Sequence, residues 1–240
     1  MNLEDQTQIP PTQTGNYSVP WKPIDNWIGV LLLVLIDVGL LVVSRLGPRG
    51  DIAQSWILIL VQLVYLLPVV IIFAWRGINW RALGFGRFDW GTMGIGCGLL
   101  VMSYGIILIH NLILTALGFE TQGDEISQLF ALLENPVWFL LVGAVLAPLV
   151  EETFFRGFLF QGFRARYGWL KSMLLSSAIF AIAHLDPASL IPTFILGSVL
   201  AYLYHRSNSI WPGVILHLTV NTFGLAFVYF VSQNPNLIPS

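Results

Sequence analysis

The chain has 240 residues, of which 56% are hydrophobic and only 10% are charged, and its mean hydropathy is +0.76. This composition lies far outside the range of soluble globular domains, so it predicts a polytopic membrane protein. The net charge of -2 provides no positive field for a polyanion, which argues against nucleic-acid binding. Cys97 is the single cysteine, which excludes an intrachain disulfide and a thiolate metal cluster.

Domain organisation follows from the polar ends of the chain. Residues 1–26 are polar and rich in Pro, Gln and Thr, and they lack the basic start and apolar core of a secretory signal. We interpret them as a flexible N-terminal tail. No long linker or convincing repeat follows, so residues 27–232 are predicted to form a single transmembrane helical domain, followed by a short C-terminal tail at 233–240.

Seven apolar segments follow one another along the chain. A span needs roughly 20 apolar residues, and five segments are that long, at 27–45, 55–75, 92–117, 137–163 and 210–231. Two shorter segments lie at 171–185 and 188–205. Backbone groups in lipid must be satisfied within each segment, and the period-two alternation of a membrane barrel is absent. We therefore expect an all-α, polytopic bundle of about seven transmembrane helices.

The charges between the segments orient the bundle. Basic residues follow the second, fourth and sixth predicted helices, on the same side as Lys22: Arg76, Arg81, Arg87, Arg164, Arg166, Lys171 and Arg206. The opposite side carries Arg45 and Arg49, and the predicted loop from Gly118 to Asn135 contains only acidic charges. The positive-inside rule then predicts a cytoplasmic N-terminus and an external C-terminus.

Three ionisable residues interrupt the fourth apolar segment. A charge inside a membrane is costly, so such residues usually face the bundle interior and mark a functional site. Glu152 and Arg156 are four residues apart and are expected to pair on one helix face. Glu151 points about 100° away from that face. It is the carboxylate that remains free for chemistry.

Two later helices offer matching polar groups. Glu151 precedes the turn at Tyr167 by about 16 residues and His184 follows it by about 17, so both are expected at one depth. Phe180 lies one turn before His184 on the same face. His217 and Asn221 also share a face, on the seventh predicted helix. A recessed polar site is therefore predicted between the fourth, fifth and seventh predicted helices.

This set of groups suits amide hydrolysis. A buried Glu can act as a base toward water and a neutral His can share the proton, while donors are needed for the oxyanion that forms. Taken singly, each polar residue is equally consistent with a hydrogen bond between helices. The matching depths favour a site. We expect only structural roles for the remaining polar residues of the spans: Asp37, Gln62, His110 and Asn111 as interior hydrogen-bond partners and His205 at a helix end.

The order of these motifs resembles the CAAX-processing and bacteriocin-processing endopeptidases, the CPBP or abortive-infection family of intramembrane proteases. The resemblance covers about residues 137–225 and includes all three motifs without substitution: Glu151-Glu152-x-x-x-Arg156, Phe180-x-x-x-His184 and His217-x-x-x-Asn221. The first 130 residues match only as generic membrane helices.

The resemblance implies a glutamic-type peptidase. In it Glu151 and His184 activate the attacking water, and His217 and Asn221 form the oxyanion site. Glu152, Arg156 and Phe180 are supporting residues. No cofactor is required by this chemistry. Zinc remains an alternative, with Glu151, His184 and His217 as ligands.

The resemblance also implies a membrane-embedded or lipid-associated peptide substrate without naming it, and the oligomeric state is left open. The polar tail and basic loops are typical of a bacterial plasma membrane or a plastid-type membrane, which argues against a prenylated substrate. Two other functions are considered. One is a non-catalytic bacteriocin-immunity or scaffold protein, in which the same residues only hold helices together. The other is a proton-coupled transporter, which is disfavoured because no duplicated halves are present.

Overall fold

The computed structural model of the protein describes residues 18–46, 55–133 and 136–234. Over these ranges the chain forms helices and contains no strand. Six helices are long and apolar enough to cross a membrane, and a seventh apolar helix, Trp169–Ala183, is shorter. The predicted all-α polytopic bundle is therefore confirmed. The predicted tails lie outside the described residues up to residue 17 and from residue 235 onward.

The described chain contains nine helices and two short 3-10 turns. The turns are Trp80–Leu83 and Pro187–Ser189. The helices are α1 Pro23–Leu46, α2 Ser55–Val64, α3 Leu67–Arg76, α4 Trp90–Ala116, α5 Gln122–Leu132, α6 Val137–Tyr167, α7 Trp169–Ala183, α8 Leu190–Ser207 and α9 Trp211–Ser232.

The first helix begins earlier than predicted. Residues 23–26 are helical rather than part of a flexible tail, and Trp21 is 4% exposed. The Trp21 indole donates to Asn26 Oδ1 at 3.0 Å, and its ring lies 5.5 Å from that of Phe158 in α6. Asp25 pairs with Arg76 at the end of α3, at 2.7 Å. Trp21 and Asp25 therefore contact residues that are distant in the sequence, whereas the composition of this segment alone predicts a tail.

The second predicted span is two helices rather than one. The chain turns between α2 and α3, where the Tyr65 N–H donates to the Gln62 carbonyl and the Leu66 N–H to the Leu63 carbonyl. Pro68 explains the break, because proline has no N–H and its ring clashes with the carbonyl four residues before it. The break leaves Tyr65 half-buried within the span Ile59–Arg76.

The predicted loop from 118 to 135 contains a helix, α5, so that prediction was wrong. Thr121 and Asp124 form a capping box, in which the Thr121 N–H donates to Asp124 Oδ2 at 2.7 Å. Phe130 is 4% exposed and contacts the rings of Phe139 in α6 and Tyr229 in α9. Phe130 therefore anchors α5 against α6 and α9.

Helix α6 lies at the centre of the fold. It is π-helical over Val142–Leu146 and Thr153–Phe160, and every residue of the second stretch is buried. π-Helical turns are rare and often occur at functional sites. Side chains outside the backbone ladder bond to carbonyls of this stretch: Asn26 donates to Leu159 O at 2.9 Å and Gln161 to Gly157 O at 2.9 Å. The predicted span at 137–163 thus continues to Tyr167.

Candidate active site

The predicted pair of Glu152 and Arg156 is present and fully buried. Arg156 Nη1 donates to Glu152 Oε1 at 2.7 Å, and both side chains are at most 1% exposed. Arg156 Nη2 donates to the Gly197 carbonyl in α8 at 3.1 Å. The guanidinium carbon lies 4.3 Å from the centre of the Phe180 ring. A buried charge requires such compensation, so this pair ties α6 to α7 and α8.

Two glycines make room for the buried pair. A Cβ atom at Gly213 would lie 2.7 Å from Glu152 Oε2, and one at Gly197 would lie 3.1 Å from Phe180 Cδ1 and 3.3 Å from Arg156 Nη2. Our sequence reasoning missed both positions. For Gly213 the available signal was its place directly after Trp211-Pro212, a sequence that suits the first turn of a helix.

His217 contacts both glutamates. Its Nδ1 lies 3.2 Å from Glu152 Oε1, and its Nε2 lies 3.7 Å from Glu151 Oε2. A carboxylate only accepts, so Nδ1 is the donor toward Glu152. The ring is 2% exposed. The structure therefore brings the first and third motifs together. Glu152 Oε1 accepts hydrogen bonds from both Arg156 and His217.

Glu151 and His184 share a cavity. Its volume is about 210 Å³, and it is lined by Gln62, Tyr65, Glu151, Phe155, Ala183 and His184. This is room for roughly seven waters at the volume of liquid water. The Glu151 side chain is 16% exposed, and its buried Oε2 has no hydrogen-bond partner among the described residues. The expected meeting of α6 and α7 at one depth is thus observed.

The orientation of His184 is set by its own helix. Its Nδ1 lies 2.8 Å from the Phe180 carbonyl oxygen, which only accepts, so Nδ1 carries a hydrogen. In the neutral ring the lone pair then resides on Nε2. His184 can therefore accept a proton or a hydrogen bond through Nε2.

Phe180 lies between the charged groups. Its ring is fully buried and makes edge contacts with the rings of His184 at 4.8 Å and His217 at 5.8 Å. It also lies under the Arg156 guanidinium. Packing one rigid ring against both imidazoles and the guanidinium limits how far each can move.

Asn221 is held by a backbone carbonyl of α6. Its Nδ2 donates to Gly143 O at 2.9 Å. In this π-helical stretch the Ala147 N–H donates to Val142 O, five residues earlier. With the same spacing, the backbone donor for Gly143 O would be the N–H of residue 148. That residue is Pro148, which has no N–H. Asn221 therefore satisfies a carbonyl that the helix leaves open, and it keeps a second amide hydrogen.

Tyr65 was missed by our sequence reasoning. Its hydroxyl donates to Asp37 Oδ1 at 2.5 Å, and its side chain lines the cavity beside Glu151 and His184. Asp37 and Gln62 were expected to be interior hydrogen-bond partners, and for Asp37 this is observed. The available signal was Pro68, which lies three residues after Tyr65 and predicts a helix break on its N-terminal side.

The remaining polar residues of the spans lie in other contacts. His110 lies 3.2 Å from Asn111, its neighbour in α4. His205 stacks on Trp169 with ring centres 4.8 Å apart, and its Nδ1 lies 3.4 Å from Arg164 Nη1. Neither histidine lines the cavity.

The side chains do not fit the zinc alternative. In the part of the chain that the structure describes, no three His, Cys, Asp or Glu side chains are grouped so that they could hold a metal ion. The proposed ligand set of Glu151, His184 and His217 is therefore not assembled, and we derive no step through a metal.

Comparison with known proteins points to the same segment. Residues 133–223 match the family described as type II CAAX prenyl endopeptidase Rce1-like. No solved structure matches the chain.

Three curated bacterial proteins are similar to parts of the chain. "Putative membrane peptidase YdiL" of Bacillus subtilis is 27% identical over 106 residues, which are 44% of this chain and 43% of that protein. "Uncharacterized 24.3 kDa protein" of Escherichia coli is 37% identical over 93 residues, 37% of this chain and 43% of that protein. "UPF0177 protein YxdF" of Lactococcus lactis is 26% identical over 157 residues, 64% of this chain and 84% of that protein. The chain thus spans less than half the length of the first two relatives.

The matched segment contains helix α6, helix α7 and all three motifs. The apolar helices make the protein an integral, multi-pass membrane protein. Together these findings confirm the resemblance over residues 133–223, which are similar to the CAAX-processing type of membrane endopeptidase.

Proposed function

We propose that this protein is an intramembrane endopeptidase in which Glu151 and His184 activate water to cleave a peptide bond of a membrane-associated substrate. The observation that carries the proposal is the unequal environment of the two adjacent glutamates. Arg156 and His217 both bond to Glu152 Oε1, whereas Glu151 has no hydrogen-bonded cation, lies 3.7 Å from His217 and lines the cavity; each acid keeps one buried Oε2 without a hydrogen-bond partner among the described residues.

The reaction begins with water between Glu151 and His184. Glu151 takes one proton from the water, while Nε2 of His184 accepts a hydrogen bond from it and orients a lone pair toward the substrate carbonyl. The new C–O bond gives a tetrahedral intermediate with a negative oxygen. Breakdown of this intermediate breaks the C–N bond, and Glu151 returns its proton to the leaving amine. One water is consumed, and an acid and an amine are formed.

Stabilisation of the oxyanion is assigned to His217 and Asn221. Nδ1 of His217 points to Glu152, so Nε2 is the ring nitrogen that lies toward Glu151 and can donate to the oxyanion when it carries a hydrogen. When Glu151 is protonated its attraction for Nε2 falls, and the Nε2–H becomes available to the oxyanion. The second amide hydrogen of Asn221 provides the other donor.

The test is the isosteric variant Glu151→Gln. The wild type is reconstituted in liposomes and screened against single-span peptides that carry Gly, Pro or Ser at varied depth, and the best-cleaved peptide is the probe. Cleavage by Glu151→Gln should fall by a factor on the order of 10² to 10⁴, with an unchanged thermal unfolding curve. Glu125→Gln, at an exposed glutamate of α5, is the matched control and should cleave normally. Full cleavage by Glu151→Gln overturns the mechanism.

The alternative functions have different expectations in the same experiment. A scaffold or immunity protein should retain its cellular function in Glu151→Gln, because the side chain keeps its shape and polarity. Peptide analysis of membranes from cells with the wild type and with Glu151→Gln tests this directly. Peptides that appear only with the wild type support the protease and identify its substrate.

We also propose that the N-terminus faces the cytoplasm of a bacterial plasma membrane or a plastid-type membrane. Two contacts support a shared basic side. Asp25 near the start of α1 pairs with Arg76 at the end of α3, and Ile210 N donates to Gly84 O, which joins the turn after α8 to the loop after α3. In a Cys97→Ser background, an impermeant maleimide added outside should label Ser232→Cys and spare Lys22→Cys. The reverse pattern would invert the proposed orientation.

A further inference from the structure

The cavity has a wall outside the three motifs. Gln62 lies near the end of α2 and Tyr65 lies in the break that follows it. Both line the cavity together with Glu151 and His184, which are distant from them in sequence. The matched family segment begins only at residue 133, so neither residue belongs to it. Non-helical backbone at membrane depth is tolerated where it is buried in protein or lines a wet cavity, which fits a break at this place.

Both residues of this wall offer acceptor oxygens. The Tyr65 hydroxyl uses its hydrogen on Asp37, so the lone pairs of Oη remain as acceptors. Gln62 Oε1 is a buried oxygen with no hydrogen-bond partner among the described residues. A buried acceptor of this kind is costly unless something donates to it, and the N–H groups of a bound peptide can do so.

A peptide substrate carries the complementary groups. Cleavage requires the substrate helix to open around the scissile bond, and opening frees backbone N–H groups inside the membrane. Those groups need acceptors because lipid offers none. Glu151 and His184 are engaged by water in the proposed reaction, which leaves Gln62 and Tyr65 to receive the substrate.

We propose that Gln62 and Tyr65 form a subsite that binds the opened main chain of the peptide substrate through its N–H groups, with Asp37 as the residue that positions the Tyr65 hydroxyl. The inference rests on the proposed peptidase function. It makes the broken second span a substrate-binding element, so α2 and α3 contribute to recognition although the motifs lie on α6, α7 and α9.

Binding is measured in a Glu151→Gln background, where the probe peptide identified with the wild type stays intact. The peptide carries a fluorophore, and its dissociation constant is measured by anisotropy in liposomes. Adding Tyr65→Phe removes only the hydroxyl and should weaken binding by about three- to tenfold, the range for one hydrogen bond. Gln62→Leu should weaken binding to a similar degree. Tyr104→Phe is the matched control, because Tyr104 is 48% exposed on α4, and it should bind as the background does.

Asp37 tests the positioning role. Asp37→Leu removes the acceptor of the Tyr65 hydroxyl and should weaken binding about as much as Tyr65→Phe. Asp37→Asn keeps an oxygen acceptor and should lose less affinity than Asp37→Leu. In otherwise wild-type protein, Tyr65→Phe should raise KM more than it lowers kcat, as expected when binding rather than chemistry is lost.

The outcomes separate the subsite from the peptidase proposal. If Tyr65→Phe and Gln62→Leu bind the peptide as tightly as the background does, the subsite is rejected while the loss of cleavage in Glu151→Gln still stands. If Tyr65→Phe lowers kcat with unchanged binding, Tyr65 acts on the chemistry and the subsite is equally rejected. Should Tyr65→Phe not fold, Gln62→Leu decides the question alone.

Discussion

Asn221 in α9 donates its side-chain amide to the carbonyl oxygen of Gly143 in α6, at 2.9 Å. This carbonyl is open because Pro148 cannot supply the backbone donor that the π-helical stretch requires at that position. A proline in one motif-bearing helix thus determines where a motif residue of another helix is held. The relationship also predicts that the effects of substituting Asn221 and Pro148 on stability are coupled, although the two side chains do not need to touch.

Asn221→Ala is expected to destabilise the protein by about 0.5–1.5 kcal/mol, because it leaves the partly buried Gly143 carbonyl without this donor. In a Pro148→Ala background residue 148 regains an N–H that can reach this carbonyl, so the same change should cost less. The free energies of unfolding of the two single variants and the double variant measure the coupling. Asn234→Ala is the control, since its amide also donates to a backbone carbonyl but is exposed. Additive effects would contradict the coupling.

Gly213→Ala should damage the site through Glu152. The added methyl group would lie 2.7 Å from Glu152 Oε2, so the carboxylate or α9 must shift. Overpacking of this kind costs about 1–3 kcal/mol, and displacement of Glu152 also releases its contacts with Arg156 and His217. Thermal unfolding and cleavage of the probe peptide should both decline.

The control for this change lies in the same helix. Gly224 has no atom within 4 Å of an added Cβ, and alanine is the better helix former by about 0.5–1 kcal/mol. Gly224→Ala should therefore leave cleavage intact and stability equal or higher. Equal effects of the two substitutions would show that close packing at Gly213 is not the cause.

Arg156→Met should be strongly destabilising, because it leaves Glu152 as a buried charge without its cation. The expected loss is about 3–5 kcal/mol. Replacing both partners, Glu152→Gln with Arg156→Met, removes the charge that was stranded and should recover part of this loss. Denaturant unfolding in detergent measures the three free energies. If the double variant is less stable than Arg156→Met, the loss in Arg156→Met does not come from an uncompensated charge on Glu152.

Removal of divalent metals should leave turnover unchanged. The reason is that no three His, Cys, Asp or Glu side chains are grouped to hold a metal ion among the described residues. The protein is dialysed against a chelator, its metal content is measured by mass spectrometry, and cleavage of the probe peptide is assayed. Activity that disappears and returns with added zinc would refute this prediction.

Much of the site followed from helical spacing. The pairing of Glu152 with Arg156 and the orientation of Glu151 away from them depend only on the geometry of one helix. The shared depth of Glu151 and His184 depends on two helices joined by one tight turn at Gly168. Such short-range relationships can be predicted because few alternative arrangements connect residues so close in the chain. The roles assigned to these residues stay a prediction until the variants are measured.

Contacts between distant helices could not be predicted in this way. Nothing in the spacing indicated that His217 would touch both glutamates, that Gly213 would face Glu152, or that Tyr65 would enter the cavity. Each depends on how helices rotate and tilt against one another, which is decided by packing over the whole bundle. The helix α5 is an intermediate case, because its capping box is visible in the sequence but its anchor at Phe130 needs the neighbouring helices.

The amino-acid sequence by itself determined that the protein is a helical membrane bundle and which helices carry reactive groups, because hydrophobic length and the 3.6-residue period are local properties of the chain. Only the tertiary structure decided that His217 contacts both glutamates and that Arg156 also bonds to the Gly197 carbonyl, since these contacts join different helices. It also decided that the broken second span forms a wall of the cavity. The physical reason is that burial and hydrogen-bond partners are shared between helices and belong to no single segment.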